Sequence, residues 1–308
     1  MHDFIERLLS GEVLVADGAT GTNLQAAGLK HGGHTEEWLI DRPELVLELA
    51  RAFVDAGADI ILTCSFGATS IRIEGSKHEG KVEELNKRAA AIAKQAASGS
   101  SVLVAGSIGP LGKLLQPYGP ISAEEARRAY EQQARALVDG GVDLLIIETQ
   151  YSLEEAQAAL DAARAVTQLP VVVSFSYDRG TRTMMGVKPD AAAMLFRKLG
   201  ASMIGVNCGT NLENGLAVIR EYATAAPSFP IWAKLNAGLP RMEGGTAMYD
   251  VSPDGMAEFA IGAIQLGARV VGGCCGSTPA HVQAIAKAVI GFRRAASVAG
   301  PMGQDPRL

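Results

Sequence analysis

The 308-residue sequence lacks several features that mark specialised classes of protein. No apolar run approaches the roughly 18 residues of a membrane-spanning helix, because Gly, Asp or Lys interrupts every candidate. No long basic run is present, and a formal net charge of −5 gives no indication of binding to nucleic acid or to an anionic membrane. The first residues lack the basic flank and apolar core of a secretion signal. We therefore expect a cytoplasmic protein with no nucleic-acid or membrane partner.

Cysteine is also scarce, with four residues in the chain. Four are too few for a disulfide framework in a protein of this length, and two of them, Cys274 and Cys275, are adjacent. A neighbouring pair does not easily form a disulfide with itself. In a reducing compartment, metal binding or catalysis is the better interpretation of these thiols.

Apolar, β-branched runs are plentiful, and eight of them alternate with segments of helical periodicity. Continuous apolar runs are typical of parallel strands that are buried on both faces. The predicted strands are residues 13–17, 60–63, 102–105, 144–148, 171–175, 203–207, 231–235 and 269–272. The predicted helices are residues 43–56, 83–97, 123–139, 153–166, 191–199, 212–225, 253–266 and 280–293. This pattern predicts an α/β protein, a single (β/α)8 TIM barrel over residues 1–296 with a flexible C-terminal tail, residues 297–308.

Three cysteines fall at the carboxyl ends of predicted strands, where the active site of such a barrel lies. Cys208 ends the sixth strand, and Cys274 and Cys275 end the eighth, each flanked by glycine. The alternative is that they are small buried side chains, as free cysteines often are. Three thiolates with an open fourth position describe a catalytic zinc ion, and we predict a zinc site here. Cys64 stands alone in a polar loop and is predicted not to be a ligand.

The ligand type predicts the chemistry. A zinc ion held by three thiolates is a poor Lewis acid for splitting water, and a hydrolase more often uses His or carboxylate ligands. Such an ion instead binds an incoming thiol and removes its proton, because a coordinating thiol is deprotonated outright. The product is a thiolate nucleophile at neutral pH, which suits alkyl transfer.

Other polar residues at the predicted strand ends are candidates for substrate binding. Asp17 and Glu148 end the first and fourth strands, where they either cap turns or bind the ammonium group of an amino-acid substrate. Asn236, which we place with the substrate-binding residues, either forms a turn or occupies the open metal position weakly when substrate is absent. His31 and His34 resemble a metal-binding pair, but their glycine-rich loop is far from the cysteines in sequence and is interpreted as an ordinary loop.

Three segments carry a family resemblance: residues 17–22 (DGATGT), 205–209 (GVNCG) and 272–276 (GGCCG). With them the chain resembles the zinc-dependent homocysteine S-methyltransferase family over nearly its whole length. Residues 105–113 and 236–240 are more similar to the homocysteine-binding module of cobalamin-dependent methionine synthase than to the betaine enzymes. The betaine enzymes have Glu-Tyr at the fourth strand end, where this chain has Glu148 and Thr149.

The resemblance implies a zinc-bound homocysteine thiolate that attacks a methyl group to give methionine. It implies that Cys208, Cys274 and Cys275 are the zinc ligands. The residues that match the shell around the amino acid are Asp17, Thr63, Ser65 and Glu148.

The methyl donor is the open question. Cobalamin-dependent methionine synthase continues into folate and corrinoid modules, and this chain has no Asp-x-His-x-x-Gly cobalamin signature. We therefore expect the donor to be a methylated corrinoid carried by a separate protein. The alternatives are a small sulfonium or ammonium donor such as S-methylmethionine or a betaine, a demethylase that uses the same site, and a non-catalytic thiol- or metal-binding module.

Overall fold

The computed structural model describes residues 4–30, 32–209, 211–243 and 246–298. Its parallel strands follow the chain in the order β1 (Leu14–Val15), β2 (Ile60–Leu62), β3 (Leu103–Ile108), β4 (Leu144–Gln150), β5 (Val171–Phe175), β6 (Met203–Cys208) and β7 (Ile231–Leu235). A two-stranded antiparallel hairpin, β8 (Arg241–Glu243) and β9 (Thr246–Met248), precedes the last parallel strand, β10 (Ala268–Gly273).

The eight parallel strands form one sheet in the order β1-β10-β7-β6-β5-β4-β3-β2. The two outer strands of this order also meet, through a parallel bridge between Ala16 and Ile60. The Asp17 amide donates to the Ile60 carbonyl at 2.9 Å across the same seam. The sheet therefore closes on itself, and the predicted (β/α)8 TIM barrel is confirmed.

The helices are α1 (Phe4–Leu9), α2 (Thr20–Ala26), α3 (Trp38–Asp41), α4 (Pro43–Asp55), α5 (Val82–Ala96), α6 (Ala123–Asp139), α7 (Leu153–Val166), α8 (Pro189–Lys198), α9 (Leu212–Ala225), α10 (Pro253–Gln265) and α11 (Pro279–Val298). A 3-10 turn, Thr35–Glu37, precedes α3. The eight predicted helices match α4 to α11 to within a few residues, because helix-start chemistry is explicit in the sequence. At α6, for example, the Ser122 hydroxyl accepts from the Glu125 amide while the Glu125 carboxylate accepts from the Ser122 amide.

The interior of the barrel changes from apolar to polar along the strands. Its apolar part is a cluster of buried residues that includes Ile60, Leu103 and Trp232, together with Phe4 and Leu8 of α1. These strand residues lie early in their strands, so α1 covers the amino-terminal end of the barrel. Alternate residues of a strand share one face. The next inward-facing residue of each strand is therefore two positions further along and nearer the carboxyl end of the barrel.

Several parts of the chain were not predicted. Helix α1, the short helices α2 and α3, and the β8–β9 hairpin are short or lie within loops, where periodicity is too brief to detect. His31 and residues 299–308 of the predicted tail lie outside the described residues, while residues 297–298 continue α11. Within the described residues, no helix combines the length and the apolarity needed to cross a membrane.

Candidate metal centre and its cavity

Three thiols meet at the carboxyl end of the barrel. The Sγ atoms of Cys208, Cys274 and Cys275 all lie within 4.8 Å of one another, and the sulfurs of Cys208 and Cys274 are 3.0 Å apart. Zinc–sulfur bonds of about 2.3 Å in a tetrahedron separate the sulfurs by about 3.8 Å, so the cluster has the dimensions of a three-thiolate metal site. Among the described residues, it is the one group of three or more His, Cys, Asp or Glu side chains that could share an ion.

The backbone at these strand ends turns the thiols toward each other. Strand alternation would point Cys208 away from the interior, since Asn207 before it points inward. Cys208 instead has a left-handed φ of +56°, a conformation that non-glycine residues seldom adopt. Gly276 follows the cysteine pair with φ of +79°, and a Cβ there would lie 2.1 Å from the ring of Tyr249. That ring packs close to the pair, and the Tyr249 hydroxyl contributes to lowering the pKa of Cys275.

Asn207 is fully buried and connects the thiols to the neighbouring strand ends. Its Oδ1 accepts from the Thr149 amide at 2.9 Å and from the Ser174 hydroxyl at 2.6 Å. Its Nδ2 donates to Thr149 Oγ1 at 2.7 Å and approaches the Cys208 sulfur at 3.6 Å. Thr149 is a second left-handed residue, with φ of +61°. Backbone strain at two strand ends is thus held by one buried amide, an arrangement found at functional sites.

A second network, made of hydroxyl groups, lies on β3, β4 and the residues after β2. The Thr63 and Ser65 hydroxyls are 2.6 Å apart, and the Ser65 hydroxyl donates to the Ser107 carbonyl at 2.7 Å. The Ser107 hydroxyl in turn donates to Glu148 Oε1 at 2.5 Å. All four side chains are buried, so this network fixes the carboxylate of Glu148 in one position.

Lys234 is a buried charged residue of this region that was not predicted as a site residue. Its side chain is 3% exposed, and its Nζ donates to Asp17 Oδ1 at 2.5 Å. The other oxygen of Asp17 accepts from the Leu62 amide at 2.7 Å. The available signal was strand alternation: Trp232 is in the interior cluster, so the residue two positions later also points inward, at the level of Glu148.

A cavity of about 350 Å³ joins these groups. Of the predicted site residues, its walls include Thr63, Glu148, Cys208, Cys274 and Cys275. They also include Lys234 and Cys64, but neither Asp17, Ser65 nor Asn236. A second cavity of about 460 Å³ shares Phe66 and Thr149 with the first. The two cavities are therefore neighbours in the barrel mouth.

Burial and charge perturb the titration of the acidic groups. Burial raises the pKa of Glu148 to about 7, although the Lys234 ammonium favours the carboxylate. Burial also raises the pKa of Asp17, again opposed by Lys234. Burial alone would lower the pKa of Lys234, but Asp17, Glu148 and Cys274 raise it, so this side chain is a cation.

The pKa values of the thiols are shifted in opposite directions. Hydrogen bonds from Cys208 and Cys274 lower the pKa of Cys275 to about 3. The same contacts, together with burial, raise the pKa of Cys208 well above its usual value. The cluster therefore favours a thiolate at one member, which is the form that a metal ion binds.

The remaining candidates lie around this centre. Asn236 donates from Nδ2 to the Gly209 carbonyl at 3.1 Å, and its buried Oδ1 has no hydrogen-bond partner among the described residues. Cys64 is buried, and its sulfur lies 3.7 Å from the Thr35 carbonyl rather than in the thiol cluster. Burial raises the pKa of its thiol far above the usual value.

A family model described as homocysteine S-methyltransferase matches residues 14–289, which include all of these groups. The chain belongs to the homocysteine S-methyltransferase family. The resemblance predicted from the DGATGT, GVNCG and GGCCG segments is therefore confirmed.

Individual members of the family are similar over most of this chain. It is 34% identical to the methionine synthase of Mycobacterium tuberculosis and 33% identical to that of Mycobacterium leprae, each over 93% of this chain. It spans 25% of the length of either synthase. The homocysteine methyltransferase MmuM from Escherichia coli, solved in a metallated form, superposes with a TM-score of 0.78 at 24% identity. That match covers 92% of this chain and 99% of MmuM, and it supports the fold.

Proposed function

We propose that this protein transfers a methyl group to the sulfur of homocysteine to give methionine, with zinc held by Cys208, Cys274 and Cys275. The observation that carries the proposal is that these three thiols share one cavity with the buried charges of Glu148 and Lys234. A thiol-binding centre beside groups of both signs suits an amino acid that bears a thiol. Family membership supports the same substrate and reaction.

The donor set supports zinc as the ion. Three sulfur ligands suit a soft or borderline metal and leave the fourth tetrahedral position open. Zinc bound there would supply one function, the deprotonation of an incoming thiol at neutral pH. A cytoplasmic location, which the sequence predicts, would keep the three cysteines reduced.

The residues of the chain position the acceptor and its proton. Glu148, held by the Ser107 hydroxyl, faces the cavity as a hydrogen-bond acceptor for the substrate ammonium group. On binding, the thiol would release its proton to solvent. Its sulfur would then form the new bond to the methyl carbon as the bond between that carbon and the donor breaks. The donor keeps the electron pair of that bond. Buried side chains around the thiols exclude water, which would otherwise compete with the thiol in hydrolysis of the methyl donor.

We propose a methylated corrinoid carried by a separate protein as the donor. Large apolar side chains are exposed around the barrel mouth, and exposed apolar groups at a functional site favour contact with another protein. They lie in the segments that follow β3, β5 and β7, the last of which includes the β8–β9 hairpin: Leu114, Tyr118, Met184, Met185, Leu239 and Met248. The second candidate is a small sulfonium or ammonium donor in the 460 Å³ cavity, since its Phe66, Tyr118 and Tyr151 rings are of the type that attracts organic cations.

The test is a zinc assay on freshly purified protein, combined with a panel of methyl donors in the presence of homocysteine. A single zinc per chain with methionine formed only from methylcobalamin or a methylated corrinoid protein supports the first donor. Methionine formed from S-methylmethionine or betaine replaces it with the second. Absence of both zinc and homocysteine binding contradicts the proposed function and leaves a non-catalytic module as the better interpretation.

A further inference from the structure

Lys234 is a buried cation in the wall of the cavity that contains the three thiols. It lies near the carboxyl end of β7, two residues after the interior Trp232, and is 2% exposed. An ammonium group removed from water is strongly destabilising unless charged or polar groups surround it. The position therefore calls for a function that an apolar residue would not provide.

Asp17, which is not part of the cavity wall, binds the Lys234 ammonium group and fixes its position. Both Asp17 oxygens bind groups of the protein, Oδ1 the Lys234 ammonium and Oδ2 the Leu62 amide. Asp17 is 2% exposed and is not part of the cavity wall, whereas Lys234 is. Lys234 thus presents a positive charge to the cavity, whereas the sequence predicted that Asp17 would contribute a negative charge.

Glu148 provides the opposite charge in the same cavity. Its Oε1 accepts from the Ser107 hydroxyl at 2.5 Å, and its side chain is part of the cavity wall. A lysine has three N–H donors, of which Asp17 accepts one, and a carboxylate has several lone pairs, of which Ser107 uses one. Both groups therefore retain hydrogen-bonding capacity for a ligand.

We propose that Lys234 binds the α-carboxylate of the acceptor amino acid. Its counterpart is Glu148, which in the proposed function accepts from the α-ammonium group, and the thiol lies at the cysteine cluster. This inference rests on the proposed function, because it concerns how the same acceptor is recognised. Asp17 is then a positioning residue that acts through Lys234. The site selects thiols that carry both charges of an amino acid over thiols that carry one.

A competing role for Lys234 is compensation of the negative charge of the thiolates, since Cys274 is near enough to favour the lysine cation. Charge compensation would act on the sulfur of every acceptor alike. Recognition of the carboxylate acts only on acceptors that have one. The two roles therefore differ in how a substitution of Lys234 affects a series of thiols.

The experiment measures dissociation constants by calorimetry on the zinc-loaded full chain. The three ligands are homocysteine, 4-sulfanylbutanoate, which lacks the amine, and 3-aminopropane-1-thiol, which lacks the carboxylate. In Lys234→Met we expect the first two to bind about 10- to 100-fold more weakly and the aminothiol to be nearly unaffected, as for loss of a charged hydrogen bond. Glu148→Gln should weaken homocysteine and the aminothiol and spare 4-sulfanylbutanoate.

Lys234→Met leaves Asp17 buried without its cation, which could prevent folding. The double variant Asp17→Asn/Lys234→Met removes both charges together and should show the same ligand pattern, with zinc content as the check on folding. Equal weakening of all three thiols, or no change for homocysteine, would overturn the inference. If wild-type zinc protein binds none of the thiols, the proposed function itself fails, a result distinct from loss of selectivity alone.

Discussion

The amino-terminal end of the barrel interior is filled by apolar side chains, among them Phe4, Ile60, Leu103 and Trp232. The carboxyl-terminal end of the same strands carries a buried lysine, two buried carboxylates and three thiols. Two of the three left-handed non-glycine residues among those described, Thr149 and Cys208, also lie there. The amino end therefore gains stability from the burial of apolar groups. The carboxyl end retains charged and polar groups whose burial is unfavourable, which indicates that they are kept for a function.

This division predicts that substitutions at the two ends separate into two classes. At the carboxyl end they should change metal binding or catalysis, with a small or even favourable effect on stability where no buried charge is left without its partner. At the amino end they should change stability alone.

The largest expected effect is loss of a thiol. In Cys208→Ser, we expect zinc affinity to fall by roughly 100- to 10,000-fold, because one ligand supplies about a quarter to a third of a binding free energy of about 10–16 kcal/mol. Competition with a chromophoric chelator measures the affinity. Cys64→Ser is the matched control, since Cys64 is in the same cavity wall but outside the thiol cluster. Equal zinc loss in both variants would contradict the assignment of the ligands.

The next effect belongs to the amino end. Phe4 is 1% exposed and packs into the interior cluster from α1. Phe4→Ala should lower the free energy of unfolding by about 3 kcal/mol, as removal of a buried aromatic ring does, with zinc affinity unchanged. Urea unfolding measures the difference. Leu9→Ala in the same helix is the control, since Leu9 is 83% exposed and should change stability by less than about 0.5 kcal/mol.

The effect of pH on the contribution of Glu148 to stability tests whether the carboxyl end contains destabilising groups. Its pKa of about 7 in the folded protein exceeds the ordinary value of 4.5, so the folded state binds more protons between these pH values. Stability contributed by this group is therefore lost as pH rises from about 4.5 to 7. Glu148→Gln, which remains neutral, should match the wild type at pH 4 and exceed its unfolding free energy by up to about 3 kcal/mol at pH 8.

Urea titrations of chelated, reduced protein at several pH values measure this difference. Glu154→Gln, at the exposed start of α7, is a control that should leave stability unchanged. A wild type that is more stable than Glu148→Gln at pH 8 would show that Lys234 and Ser107 stabilise the carboxylate by more than its burial destabilises it.

The sequence was sufficient to predict the barrel, because its strands are continuous apolar runs and its helices begin at explicit capping residues such as Ser122 and Ser152. It also placed Cys208 and Cys274 at the same end of two strands that flank β7, since parallel strands align their carboxyl ends. The pairing of Lys234 with Asp17 was not predicted. These residues are 217 positions apart, and the contact exists only because β1, β10 and β7 are consecutive in the closed sheet.

Other features depend on tertiary structure in the same way. Cys208 has a left-handed φ beside the buried Asn207, whose Nδ2 lies 3.6 Å from the Cys208 sulfur, and the residue types alone do not predict that conformation. Likewise, Asp17 and Ser65 are polar residues at the carboxyl ends of strands, as predicted for a binding site. In the packed barrel, however, Lys234 and Thr63 form the cavity wall and these two residues do not. Residue type and strand position predicted the candidates, while packing determined which of them line the cavity.

The smallest expected effect concerns the left-handed residues themselves. Ser228, with φ of +65°, lies in the exposed turn between α9 and β7, at the amino end. Ser228→Gly should raise the unfolding free energy by about 0.5 kcal/mol, because relief of the left-handed conformation exceeds the added entropy of the unfolded chain. Thr149→Gly relieves the same backbone strain but removes the hydroxyl that Asn207 holds at 2.7 Å. We expect it to lower kcat/KM, whereas Ser228→Gly leaves kcat/KM unchanged. Equal kinetic effects would mean that strain at the barrel mouth is unrelated to function.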